Sequence, residues 1–289
     1  METNFLSAVF LPLALGVIMI GMGMTLSIQD FKRIVLFPKA VGIGMVNQLI
    51  LLPIVAFGIV NLFPMEPELA VGIMILSVCP GGATSNLISH LCKADLALSI
   101  TLTAFSSLIT IITIPILVNF SIHYFMGVEM QKSLPLLDSM IKILLITLVP
   151  TAIGMYIKSR FPHFTQKRLG WINIISALFF VVVVLGAVAA ERENIISFFK
   201  QVGPASLALN VITMFMGFSI ARLFNIGERQ SFTISLESGI QNGTLGIAIA
   251  SSPLMLNNPQ MAISPAIYGL IMFFTAGFMI YLSRKILKT

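Results

Sequence analysis

Charge is scarce in this sequence. Only 10% of its 289 residues are Asp, Glu, Lys or Arg, against about 25% in an average soluble domain. With 57% hydrophobic residues, such a chain cannot cover a water-facing surface and belongs in a bilayer. Cysteine is nearly absent: Cys79 and Cys92 offer neither a disulfide framework nor a C-x-x-C metal spacing. With only three histidines there is no cluster suited to zinc. His90 and His123 have no paired nucleophile, so an intramembrane enzyme is not indicated. Acidic residues are few too, and the net charge of +6 sits in short connections, which excludes a nucleic-acid surface. Low-complexity stretches and a soluble domain are both missing.

What the chain does have is long apolar runs. Nine of about 20 residues can be counted, approximately 5–26, 38–62, 69–90, 96–120, 135–157, 171–191, 203–225, 232–252 and 262–284. The first begins after Met1-Glu2-Thr3 with no basic stretch, so it reads as a retained membrane helix and not as a signal peptide. With the N-terminus outside, the inner connections hold Lys32, Arg33, Lys39, Lys93, Lys158, Arg160, Lys167, Arg168, Arg222 and Arg229, and the tail adds Arg284, Lys285 and Lys288. The outer side has only Lys132, Lys142, Arg192 and Lys200, a division of thirteen against four. The positive-inside rule then predicts an outer N-terminus and a cytoplasmic C-terminus. The longest connection, around Ser121–Leu134, reads as a short amphipathic stretch along the outer interface.

Two runs are interrupted. The third contains Cys79-Pro80-Gly81-Gly82-Ala83-Thr84-Ser85-Asn86, and the eighth contains Glu237-Ser238-Gly239-Ile240-Gln241-Asn242-Gly243-Thr244. A carboxylate at bilayer depth costs about 2.5–3.5 kcal/mol on insertion scales, so Glu237 needs a partner, a cavity or an ion. The glycines permit local unwinding, which frees backbone carbonyls for a bound solute. Two broken segments in separate halves point to a transporter binding site, and their odd offset predicts an incomplete inverted repeat of four and five helices. Ser85, Asn86, Glu237, Gln241 and Asn242 supply oxygens, a donor set suited to a hard monovalent cation. Ser99 and Thr103 share one helix face, and Gln48 lies in the second run beside Asn47; hydroxyls of this kind also bond simply to a carbonyl one turn back. Gly16, Gly21 and Gly23 read as helix-packing positions, Cys79 as a small buried residue, and Asp138 with Lys142 as a surface pair.

Together the runs Gly21-Met22-Gly23-Met24, Cys79 to Asn86 and Glu237 to Asn242 resemble the bile acid:sodium symporter family, from the first segment to the last. The resemblance implies an all-α polytopic transporter with a core domain, approximately 38–120 and 203–284, and a panel domain, approximately 5–26 and 135–191. The broken helices would cross in the core. One sodium site would use Ser85, Asn86, Ser99, Thr103 and Glu237. A second would use Gln48, Glu237 and Gln241, with backbone oxygens near Ser238 and Ile240. Ala83, Thr84, Asn242, Phe273 and Phe274 fall at the positions carried over to the substrate. Some relatives have Thr-Ala where this chain has Ala83-Thr84, and Phe273-Phe274 replaces a polar His-Asn pair.

The expected function is sodium-coupled symport of an organic anion, bile-acid-like or a small carboxylate, by alternating access in the cell (inner) membrane. Sodium ions serve as coupling ions and no cofactor is expected; a monomer is expected to suffice. Two alternatives stand beside it: an efflux carrier related to arsenite permeases, motivated by Cys79, and a proton-coupled carrier in which Glu237 is protonated.

Overall fold

The structure, a computed structural model, describes residues 10–127 and 134–287. Every regular element among them is helical, as expected where lipid leaves backbone groups no other partner. In chain order the helices are α1 (Leu11–Thr25), α2 (Ile28–Leu36), α3 (Pro38–Leu62), α4 (Pro67–Ser77), α5 (Ala83–Leu91) and α6 (Leu96–Met126). There follow α7 (Leu136–Arg160), α8 (Pro162–Ala190), α9 (Ile195–Leu223), α10 (Glu228–Gly239), α11 (Gly243–Ser251) and α12 (Pro259–Ile286). Six of these, α3, α6, α7, α8, α9 and α12, are long and apolar enough to cross a membrane. The chain is a multi-pass membrane protein.

The third and eighth apolar runs are each divided, into α4 with α5 and α10 with α11. These broken pairs lie at the centre of the protein. Leu69–Ser77 of α4, Ser231–Gly239 of α10 and Gly243–Ala250 of α11 are buried throughout. The long helices instead turn Leu137, Phe215 and Phe278 outward at 62–72% exposure, the lipid-facing side of the bundle. Helix α1 packs on α7 and α8, whereas α12 packs on α4, α9 and α11.

Small residues set the closest approaches. A Cβ on Gly23 of α1 would strike the Thr151 carbonyl of α7, and one on Gly154 would strike the Ile20 carbonyl, so the two backbones meet without side chains between them. Gly21 lies against Ser176 and Ile172 of α8, while Gly16 faces open space. Asp138 and Lys142 form the expected surface pair, at 2.6 Å.

Several element limits depart from the expectation. Helix α8 begins at Pro162 and α9 at Ile195, each about two turns before its apolar run. Hydropathy marks only the apolar length of a helix; His163–Leu169, with Lys167 and Arg168, and the turns before Pro204, with Lys200 and Gln201, are helical as well. Of the connection expected over Ser121–Leu134, the part through Met126 is the end of α6, and 128–133 lie outside the described residues. Helix α2 is amphipathic; it holds Phe31 5.7 Å from the Phe105 ring and accepts at the Asp30 carbonyl from Thr101. Lys132 and Lys288, counted in the charge division, also fall outside the described residues.

Candidate functional site

The two breaks meet. The backbone amide of Asn242 donates to the Pro80 carbonyl at 2.9 Å, and the Gln48 side chain spans both, donating to the Cys79 carbonyl at 3.1 Å and to Gln241 Oε1 at 2.7 Å. The glycines serve space here, not unusual backbone angles, since Gly127 has the only positive φ among the described glycines. A Cβ on Gly81 would collide with the Glu237 carboxylate, and one on Gly239 with the Met214 side chain.

Four side chains, those of Ser85, Asn86, Ser99 and Thr103, gather with Glu237 into a cluster of five. Ser99 Oγ lies 2.5 Å from Glu237 Oε1 and 2.8 Å from Asn86 Oδ1. Thr103 Oγ1 lies 3.1 Å from Glu237 Oε2 and 3.4 Å from Asn86 Oδ1. Ser85 stands at the same corner, where a Cβ on Gly81 would meet both its hydroxyl and the Glu237 carboxylate, and its hydroxyl donates to the Gly82 carbonyl at 2.8 Å. All five are at most 3% exposed. Each hydroxyl carries one proton, so neither Ser99 nor Thr103 can serve both of the acceptors between which it sits, and the Asn86 Nδ2 donor is itself buried with no partner among the described residues. Among the described residues no basic side chain pairs with Glu237. The cluster is rich in oxygen and short of positive charge.

On the other face of α10, Gln241 Nε2 donates to the carbonyls of Glu237 and Ser238 at 3.2 and 2.9 Å. Asn47 Nδ2 donates to Ser238 Oγ, which itself donates to the Ile234 carbonyl at 2.7 Å. Asn47 Oδ1 and Gln48 Oε1 are buried with no partner among the described residues. A buried acceptor left unpaired costs about 1–3 kcal/mol, so this second oxygen cluster also lacks donors. Asn47 and Gln48 open a π-turn, Asn47–Leu51, in α3; such turns often mark functional positions. Ile240 is buried at the turn out of α10.

The first turns of α5 and α11 border a cavity of about 70 Å³, lined by Ala83, Thr84, Asn242 and Phe273 together with Ile18 of α1 and Phe180 of α8. Phe274 does not join them: it is 81% exposed on the outer surface, because successive helical positions point about 100° apart. A larger cavity, about 460 Å³, shares Ala83 and Leu87 with the first and extends past Asn86, His90 and Lys158. No carboxylate lines either.

The family model for the Sodium Bile acid symporter family matches residues 12–198. The chain belongs to this family. It is 30% identical over 281 residues to an uncharacterized sodium-dependent transporter of Bacillus subtilis, covering 96% of this chain and 84% of that protein. It is 27% identical to a probable chloroplastic sodium/metabolite cotransporter of rice (88% of this chain, 58% of that one). To the human hepatic sodium/bile acid cotransporter it is 26% identical, with 96% and 77% covered. The chain spans less than two thirds of the rice protein's length. The family and these relatives are transporters and not enzymes.

One set of polar residues escaped the sequence reading. Ser206, Asn210, Thr213 and Gly217 follow a 4-3-4 spacing on α9 and are all buried against the second break. A Cβ on Gly217 would lie 2.8 Å from Ser238 Oγ and 2.9 Å from Asn47 Nδ2. The spacing was the available signal: three polar residues and a glycine on one face of an apolar helix.

Proposed function

We propose that this member of the sodium bile acid symporter family couples sodium entry to uptake of a small organic anion, by alternating access, with Glu237 shared between two cation sites. The observation that carries this is a buried carboxylate, Glu237, ringed by neutral oxygens and with no basic partner among the described residues. Its carboxylate and Asn86 Oδ1 compete for the hydroxyls of Ser99 and Thr103, and a monovalent cation resolves that competition. Gln48, Gln241 and the backbone at Ser238 and Ile240 supply the second oxygen set. Two cations beside one carboxylate leave net positive charge next to the N-terminal turns of α5 and α11. Helix N-termini favour an anion in the same place. The cavity they border holds a carboxylate-sized group, and the apolar ring of Phe273 closes its side.

In this reading the broken pairs complete nine spans in an incomplete inverted repeat. Helices α1, α7 and α8 form the panel against the remaining core, with the N-terminus outside and the C-terminus in the cytoplasm. Sodium binding shifts the carrier toward its substrate-competent state. A thiol-based carrier is not favoured, because Cys79 is 1% exposed and its Sγ donates to the Ile75 carbonyl at 3.2 Å.

Purified protein in proteoliposomes is given an inward sodium gradient and a panel of labelled small carboxylates. Uptake of at least one is expected to collapse when potassium or choline replaces sodium. Uptake that persists undiminished in potassium would overturn the proposal.

A further inference from the structure

The helix preceding each broken pair sends a side-chain amide to a carbonyl at the break. From α3, Gln48 Nε2 reaches Cys79 O at the first break, at 3.1 Å. From α9, Asn210 Nδ2 reaches Gly239 O at the second, at 2.7 Å. Gln48 has a place in the proposed cation chemistry; its counterpart has none assigned. Gly239 O receives a second bond, from Tyr268 OH of α12 at 2.8 Å, and Asn210 Nδ2 lies 3.1 Å from the same hydroxyl. Asn210 and Tyr268 are 0% and 1% exposed.

We infer that Asn210 and Tyr268 are positioning residues for the second cation site. They fix the peptide plane that separates the Ser238 and Ile240 carbonyls. That plane is held from both edges: the Gly239 carbonyl accepts from Asn210 and Tyr268, and the Ile240 amide donates to the Leu236 carbonyl at 2.8 Å. Its carbonyl is directed at α9 and α12, away from Gln241, whose amide takes the neighbouring carbonyls of Glu237 and Ser238. Without its two donors the Gly239 carbonyl would be a buried, unpaired acceptor, and the cheapest relief is rotation of that plane. Rotation would move the oxygens on either side of it. The bare backbone of Gly239 also suits the role, because Met214 packs where a side chain would start and so brings α9 close enough for Asn210 to reach.

The inference rests on the sodium reading above, and the experiment separates the two. Wild type, Asn210→Leu, Tyr268→Phe and the double variant are purified in detergent, and melting temperature is followed against sodium chloride with choline chloride holding ionic strength. In each single variant one donor remains, so the half-stabilising sodium concentration is expected to rise about fivefold, the factor equivalent to ~1 kcal/mol. The double variant is expected to rise by more than the product of the two. The melting temperature in choline alone reads the purely structural cost, and Asn210→Gln, which keeps the amide donor, is expected to recover part of the sodium response. Variants that melt lower in choline but keep the wild-type sodium midpoint would overturn the positioning role alone. A wild type that sodium does not stabilise more than choline would overturn the sodium reading and this inference with it.

Discussion

Ser99 Oγ stands between Glu237 Oε1 at 2.5 Å and Asn86 Oδ1 at 2.8 Å, with a single proton to offer both. Asn86 comes from the second half of one broken pair and Glu237 from the first half of the other, so the hydroxyl of α6 bridges the two. Thr103, one turn further along α6, stands in the same relation at 3.1 and 3.4 Å. The following outcomes are expected from this arrangement and from the packing around it.

Glu237→Gln keeps the side chain's size and one carbonyl oxygen while removing the charge. The melting temperature without sodium should rise by a few degrees, since an uncompensated buried charge is costly. The sodium-induced increment should disappear. Thermal melts of both proteins in sodium and in choline check it, and an undiminished increment in the variant would contradict the assignment.

Ser99→Ala and Thr103→Val should not be equivalent. Both delete one hydroxyl, but the contacts of Ser99 are about 0.6 Å shorter than those of Thr103, and hydrogen bonds to a charged group contribute about 1.5–3 kcal/mol. Ser99→Ala is expected to raise the sodium concentration for half-maximal uptake at least tenfold, and Thr103→Val by a smaller factor. The reverse order would show that the shorter contacts are not the ones that matter.

Adjacent glycines at the first break should respond in opposite ways. A Cβ at Gly81 collides with Glu237 and lies 3.1 Å from Ser85 Oγ, whereas one at Gly82 meets nothing nearer than 3.9 Å. Gly81→Ala should abolish sodium-dependent uptake while the protein still inserts and folds. Gly82→Ala should retain most of it. Equal loss in both would argue for a backbone requirement in place of a steric one.

The contact of α1 with α7 gives a stability test away from the site. Gly23→Ala places its methyl on the Thr151 carbonyl, a backbone atom that cannot yield cheaply, whereas Gly16→Ala points into open space. Overpacking of this kind costs about 1–3 kcal/mol, so Gly23→Ala should melt several degrees lower and Gly16→Ala within a degree of wild type. Matching melting temperatures for the two would refute the close backbone contact.

The breaks were legible because Pro80, Gly81, Gly82 and Glu237 contradict their apolar surroundings, and a contradiction inside a hydrophobic run can be read from composition alone. Ser99 and Thr103 were legible through their shared helix face. The α9 face was not: Ser206, Asn210 and Thr213 each pass singly for ordinary residues of a membrane helix, and only Gly239 and Tyr268, more than 25 residues away, reveal what Asn210 bonds. Tyr268 was invisible for the same reason. Hydropathy also says nothing of the polar turns of a helix, which is why α8 and α9 begin earlier than their apolar runs.

Lys158 of α7 donates to the carbonyl of Thr25, the last residue of α1, at 2.6 Å. Only Leu26 and Ser27 then separate α1 from α2, which packs on α6 and α3. The chain passes from the group of α1, α7 and α8 to the remaining helices at two other places, between α6 ending at Met126 and α7 starting at Leu136 and at 191–194, and Leu136 and Ala190 are the ends of α7 and α8 away from Lys158 and Pro162. If the two groups swing against each other, as the proposed alternating access requires, the swing turns about the Leu26–Ser27 joint, clamped by Lys158. The lysine would then set the fulcrum, and shifting it would change the reach of the stroke without touching any residue proposed to meet an ion.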